Sequence, residues 1–262
     1  MTDTINPLLA SIKLPGRVFQ LPSRGIFYKN GELGDDIKDG EVHVRPMSAM
    51  DEINMKNPDQ LFSGQAVNVV FKHCVTGIEK PTELLSKDVD ALMLFLRTVT
   101  YGTGYEFTAK HFCEGGKEHS YIADIDQIIG AMQIIDPTLV ETTYTVTLQN
   151  SQIVKLKPNK YQQVLDLIKR NENKKIVSAE DQQKNLEMML LGVIESVDGI
   201  SDTNKIAEWI QKIPSPLVNR IGDKIDNLNA WGSNLKWTCK CRDCLQDFEV
   251  EIPINPVSFF TE

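Results

Sequence analysis

At 262 residues the chain is long enough to bury one large core or two modest ones. Its 41% hydrophobic and 24% charged residues are ordinary for a globular protein. A net charge of −8 without a long basic run argues against nucleic acid as a partner, because neutralising phosphates needs clustered Lys and Arg.

The opening Met-Thr-Asp-Thr-Ile-Asn-Pro has neither the charged nor the apolar region of a secretory signal, so none is expected. No run of about 18 apolar residues occurs, so no membrane span is expected. Five cysteines, three of them within Cys239–Cys244, suit a reducing compartment and metal binding better than a disulfide scaffold.

In chain order, the first 12 or so residues read as an extended arm. Leu21 to Tyr28 reads as a turn feeding a short strand, and Lys29-Asn30-Gly31-Glu32 as a hairpin-type turn. Glu41 to Arg45 alternates like a half-buried strand and stops at Pro46. Ser48 with Asp51 makes a capping-box pattern for a helix ending near Asn57-Pro58. Ser63 caps a second helix (Ala66, Val67, Val70, Phe71, Cys74) that Gly77 stops, with Cys74 a buried thiol. Ser86-Lys87-Asp88 opens a third, whose Val89, Leu92, Met93, Leu96 and Val99 stripe is widened by Leu94 and Phe95, predicting burial on most sides.

Tyr105–Thr108 and Ser120–Ile125 read as strands around a turn containing His111, Cys113 and His119, and 126–137 is ambiguous between strand and short helix. Thr142–Leu148 and Gln152–Leu156 form a hairpin. Helices follow: Tyr161, Val164, Leu165 and Ile168 mark one, and Asn171 to Lys175 is a polar loop. Ser178 caps a longer helix striped by Leu186, Met189, Leu190, Val193, Ile194 and Val197. Two more carry Ile206, Trp209, Ile210, Ile213 and then Leu217, Val218, Ile221, Ile225, Leu228. A helix-turn-helix there would offer only Asn219, Arg220 and Lys224 to DNA, so a helical subdomain is the better reading. Trp237 to Ile252 is a final hairpin, followed by a Phe259-Phe260 tail that docks back on this chain or inserts into a neighbour.

The expected class is therefore α+β: helical segments, small antiparallel hairpins, and a zinc-ribbon-like unit joining mid-chain to C-terminus. The segments are an N-terminal arm and small β-region (1–47), a helical segment (48–100), β-hairpins with a first knuckle (101–157), a helical subdomain (158–230), and a ribbon hairpin with the Phe-Phe tail (231–262).

Zinc ribbons pair two knuckles, each normally offering two ligands spaced Cys-x2–4-Cys. Cys241-Arg-Asp-Cys244 has that spacing, and Cys239 lies two residues before it, on the same side of a strand. The first knuckle has only Cys113, with Glu114-Gly115-Gly116 where a second cysteine is expected. The favoured ligands are Cys113, Cys241 and Cys244, with Cys239 or His119 fourth; His111 is a further candidate. Two readings stay open: a ribbon closed by structural zinc, or one that packs without metal. No catalytic residue stands out. Gly102-Thr103-Gly104 lacks the strand and Gly-Lys-Ser/Thr of a phosphate loop. Asp35-Asp36, Asp51-Glu52 and Glu180-Asp181 sit at turns and helix starts, where acids complement the helix dipole.

Several segments together resemble the T4-type bacteriophage baseplate family, the hub or central-spike-associated proteins of contractile tails. They are Leu21-Pro-Ser-Arg-Gly-Ile-Phe-Tyr28, Arg45-Pro-Met-Ser-Ala-Met-Asp-Glu52, Asn57-Pro-Asp-Gln-Leu-Phe-Ser-Gly64, Leu84-Leu-Ser-Lys-Asp88, Leu96-Arg-Thr-Val-Thr-Tyr-Gly102 and the Cys-rich hairpin running to Phe260. Many relatives carry fuller Cys-x-x-Cys knuckles, from which the single Cys113 departs. The resemblance implies a non-enzymatic structural component or assembly chaperone of the baseplate hub. It would contact other baseplate proteins, work in the host cytoplasm during assembly, and either remain in the virion tail or leave it. The contrasting reading is a zinc-ribbon nucleic-acid-binding module, motivated by Lys110, Lys117, Lys236, Lys240 and Arg242. A metal-dependent hydrolase is a third, formal one.

Overall fold

The computed structural model describes residues 15–29, 31–57, 59–60, 63–140, 144–171, 178–228, 230–254 and 259–260. The N-terminal arm, Pro58, the start of the Thr142 strand and all but the first residue of the polar loop at 171–175 lie outside the described residues.

The alternation at Glu41–Val44 forms β2, with Val42 and Val44 inward. Its antiparallel partner is β1 (Arg17–Gln20), Arg17 facing Val44. The strand expected after Leu21 is thus corrected: residues 22–27 are turns and the strand precedes them. Arg24 (φ 53) and Gly25 (φ 78) are left-handed, which a strand does not tolerate. The capping box forms as expected at α1 (Ala49–Met55), where the Asp51 N–H donates to Ser48 Oγ and Asp51 Oδ2 accepts from the Ser48 N–H.

The N-cap of α2 (Gln65–Cys74) is Gly64 rather than Ser63. At φ 75 the backbone favours glycine, and a Cβ on Gly64 would in addition fall 2.2 Å from Leu165 Cδ1. The helix ends at Cys74, ahead of Gly77, because Val75 turns extended and bridges Val44. In α3 (Ser86–Tyr101), Asp88, Val89 and every residue from Ala91 to Thr98 are buried. Their apolar breadth required this.

Then β3 (Gly104–Lys110) and β4 (Glu118–Asp124) pair antiparallel, Gly104 facing Asp124 and Lys110 facing Glu118. The ambiguous stretch resolves into a short helix, α4 (Ile125–Gly130), N-capped by Asp124. A three-stranded sheet of order β5-β6-β7 follows, with β5 (Thr145–Thr147) and β6 (Ile153–Leu156) as the expected hairpin. Helix α5 spans Tyr161–Asn171 and α6 spans Ala179–Val193. The long stripe expected through Val197 is corrected: α6 stops at Val193 and Ile194–Val197 is β7, paired antiparallel with β6. Ile194 and Val197 are β-branched, and an open edge on β6 makes the extended state the better one for them. Helices α7 (Thr203–Lys212) and α8 (Ser215–Leu228) follow, then the β8 (Lys236–Lys240) and β9 (Asp247–Glu251) hairpin. No helix among the described residues is long and apolar enough to cross a membrane.

Two apolar clusters result. The first joins β1, β2, α1 to α4 and β3 to Cys239, Ile252, Phe259 and Phe260. The second collects Leu85 and residues between Ile135 and Trp231. The tail docks back on the chain: Phe259 and Phe260 are fully buried, the Arg97 guanidinium donates to the Phe259 carbonyl at 2.5 Å, and Tyr101 Oη donates to that of Phe260 at 3.0 Å.

Between the clusters sits Asp88, fully buried. Its carboxylate accepts from the Ser23 N–H (3.1 Å), Ser23 Oγ (2.6 Å) and Tyr28 Oη (2.8 Å), and Tyr28 Oη accepts from the Leu85 N–H (2.8 Å). Burial raises the Asp88 carboxyl from 3.8 to about 6, against the opposing pull of these donors.

Replacing Phe260 by Ala should cost about 3–5 kcal/mol of stability in denaturant unfolding; no loss would mean the side chain is not in the core. Asp88 contributes most to stability below its unfolded value of 3.8, and that contribution is lost as pH rises through about 6. Between about pH 4 and pH 7, wild type should therefore lose up to about 3 kcal/mol relative to Asp88→Asn. Neighbouring Asp90, also raised to about 6 by burial, titrates in both proteins. Parallel pH dependences for the two would exclude a raised Asp88.

Candidate metal centre

The two hairpins β3–β4 and β8–β9 carry the cysteines in their turns. Tyr121 on β4 meets Phe248 on β9 edge-on with centroids 5.8 Å apart, and the Arg242 guanidinium reaches across to the Ser120 carbonyl at 2.8 Å while lying over Tyr121. This packing aligns the turns. His111, Cys113, Cys241 and Cys244 then bring one donor atom each within 4.8 Å of all the others. His111 Nδ1 is 3.3 Å from Cys244 Sγ, and Cys113 Sγ is 3.9 Å from Cys241 Sγ. Tetrahedral ligation at a zinc–sulfur distance of about 2.3 Å separates thiolates by about 3.8 Å, so these side chains fit such an ion.

Each donor has a local reason for its place. His111 stacks on Phe248 at 4.9 Å, which fixes its ring. The Cys113 N–H donates to the His111 carbonyl and the Gly116 N–H to that of Cys113, closing a tight first knuckle. Gly115 is left-handed (φ 73), and a Cβ on Gly116 would meet the His111 carbonyl oxygen at 2.5 Å and Cys113 Sγ at 3.0 Å. The glycines that replace the missing Cys-x-x-Cys thiol are what let His111 and Cys113 converge. In the second knuckle the backbone N–H of Cys244, then that of Asp243 and the His111 ring, stabilise Cys241 as thiolate and lower its pKa. Cys113 is shifted upward, by burial first and then by the neighbouring sulfurs of Cys244 and Cys241.

His119 and Cys239 lie outside this cluster. His119 Nε2 is 2.9 Å from Asp243 Oδ2, which also accepts from the Lys117 N–H at 2.9 Å, so His119 braces the second knuckle through Asp243. Cys239 is buried in the first apolar cluster, and burial raises its pKa. Spacing singled out Cys239 but not its facing: in β8 it is inward, opposite Phe248. His111 is distinguished from His119 only by the register of the first hairpin. A second group, Asp51, His73 and Cys74, also places donor atoms within 4.8 Å of one another. There Asp51 is already engaged by Ser48, and His73 Nδ1 meets Asp51 Oδ2 at 2.7 Å from an exposed position.

Fold and site together define an α+β protein clasped by a zinc-ribbon-like pair of knuckles. The chain belongs to the family of the T4 bacteriophage base plate protein, whose profile matches residues 32–261. Neither comparison with curated proteins nor comparison with solved structures gave a match. Family membership makes it a phage baseplate protein with a structural role.

Gly116→Ala should destabilise the fold by about 1–3 kcal/mol, since the nearest atom the added carbon meets, the His111 carbonyl oxygen, is backbone. Chemical denaturation would measure this; an unchanged midpoint would contradict the tight turn.

Proposed function

We propose that this protein is a structural component or assembly factor of the hub region of a contractile tail baseplate, acting through protein–protein contacts without catalysis. The family match over residues 32–261 carries this reading. We propose also that His111, Cys113, Cys241 and Cys244 hold a structural zinc ion. Three thiols and an imidazole are the donor set of structural zinc sites, and the 3.9 Å sulfur separation suits it. Four protein donors leave no position for a water to be activated, so the ion's contribution would be folding energy, tying residues 104–124 to the C-terminal hairpin. Of the five basic residues behind the nucleic-acid reading, Arg242 is engaged with Ser120 and Tyr121, which leaves that reading four exposed lysines.

Mass spectrometry of purified virions alongside infected cells tests the first proposal. Presence in virions indicates a baseplate component, and presence only in infected cells together with hub proteins indicates an assembly factor. Association with no tail protein in either sample would refute both. For the metal, purified wild type should carry one zinc per chain, His111→Ala should lose it, and His119→Ala should keep it. A metal-free wild type, or retention in His111→Ala, would eliminate this ligand set.

A further inference from the structure

We propose that the cleft against the second apolar cluster receives an acidic, partly apolar peptide segment of another baseplate protein. This rests on the baseplate reading and adds a docking site to it. The cleft encloses about 780 Å³, within the range of specific binding sites. Leu85, Tyr144 and Leu156 form a buried apolar floor, and Ile26, 39% exposed, stands on its rim.

The charge pattern selects the occupant. The chain as a whole is acidic at −8, yet the cleft lining holds Lys29, Lys155, Lys157 and Lys160 against only Glu32 and Glu195. Lys160 is satisfied within the protein, by Glu32 at 2.9 Å and Glu83 at 3.0 Å. That ion pair consumes Glu32 as well. Lys29, Lys155 and Lys157 are exposed and make no ion pair to a carboxylate among the described residues. Exposed Lys155 and Lys157 flank buried Leu156 in the chain, and all three line the cleft. A segment that carries carboxylates beside apolar side chains complements such a lining, the carboxylates steering association and the apolar groups filling the floor. The floor is also rigid: Tyr28 and Leu85, which line the cleft, are held by the Asp88 hydrogen bonds.

The test uses the full chain in infected cells, with Ile26 replaced by the photo-crosslinker p-benzoylphenylalanine and the cross-linked peptide sequenced by mass spectrometry. The expected result is an acid-rich segment of another baseplate protein. Its yield should fall about tenfold or more in Lys155→Glu/Lys157→Glu and stay unchanged in the control Lys38→Glu/Lys72→Glu, which makes the same charge change elsewhere. Both pairs are exposed, and thermal melts confirm folding. A cross-link to a second copy of this chain, to a segment without acidic excess, or to nothing overturns the proposal, as does a yield insensitive to Lys155→Glu/Lys157→Glu. If the chain still co-purifies with tail proteins in those cases, only the cleft assignment fails. If it associates with no tail protein, the baseplate reading fails too.

Discussion

A single buried carboxylate joins the two halves of this molecule. Asp88 lies between an apolar cluster built on α3 and another built on the β5-β6-β7 sheet, with Leu85 in one and Val89 in the other. A lone carboxylate in such a place is costly unless its oxygens are hydrogen-bonded. Ser23 and Tyr28 supply the donors from 60 or more residues upstream. The N-terminal turn is therefore held against the start of α3, and Tyr28 packs on both clusters at once. Two of the stretches that carry the family resemblance, Leu21–Tyr28 and Leu84–Asp88, turn out to be the two sides of this contact.

The far end of the chain is secured by a different mixture of forces. Phe259 and Phe260 fill the first cluster while Arg97 and Tyr101 satisfy their carbonyls, so the last aromatic residues act as core. Upstream of them the β8–β9 hairpin meets β3–β4 through Tyr121, Phe248 and Arg242, and this contact brings His111, Cys113, Cys241 and Cys244 together. Aromatic packing thus pairs mid-chain with C-terminus alongside the Cys/His cluster, whose residues are half-buried or buried. The lysine-rimmed cleft lies against the second cluster, and Tyr28 and Leu85 of the Asp88 junction line it.

Much of the secondary structure was legible because its signals are local. The Ser48–Asp51 and Ser178–Asp181 capping boxes need only four consecutive residues, and both form. The breadth of apolar residues in α3 announced its burial. One error occurred where a distant partner decided. Ile194–Val197 fits a helical stripe until β6 offers it an edge. The cap expected at Ser63 falls instead on Gly64, which adopts a left-handed φ of 75.

The sequence by itself determined the α+β class, the helical core of α3, the two cysteine-bearing hairpins and membership of the baseplate family. These follow from periodicity, capping chemistry and the order of short motifs, all readable along one dimension. Only the tertiary structure decided that His111 joins Cys113, Cys241 and Cys244 while His119 turns to Asp243 and Cys239 turns to the core. Spacing says that side chains share a side of a strand. Which side faces the partner hairpin depends on the register and packing of two units more than a hundred residues apart, and those are set by contacts that no local pattern encodes.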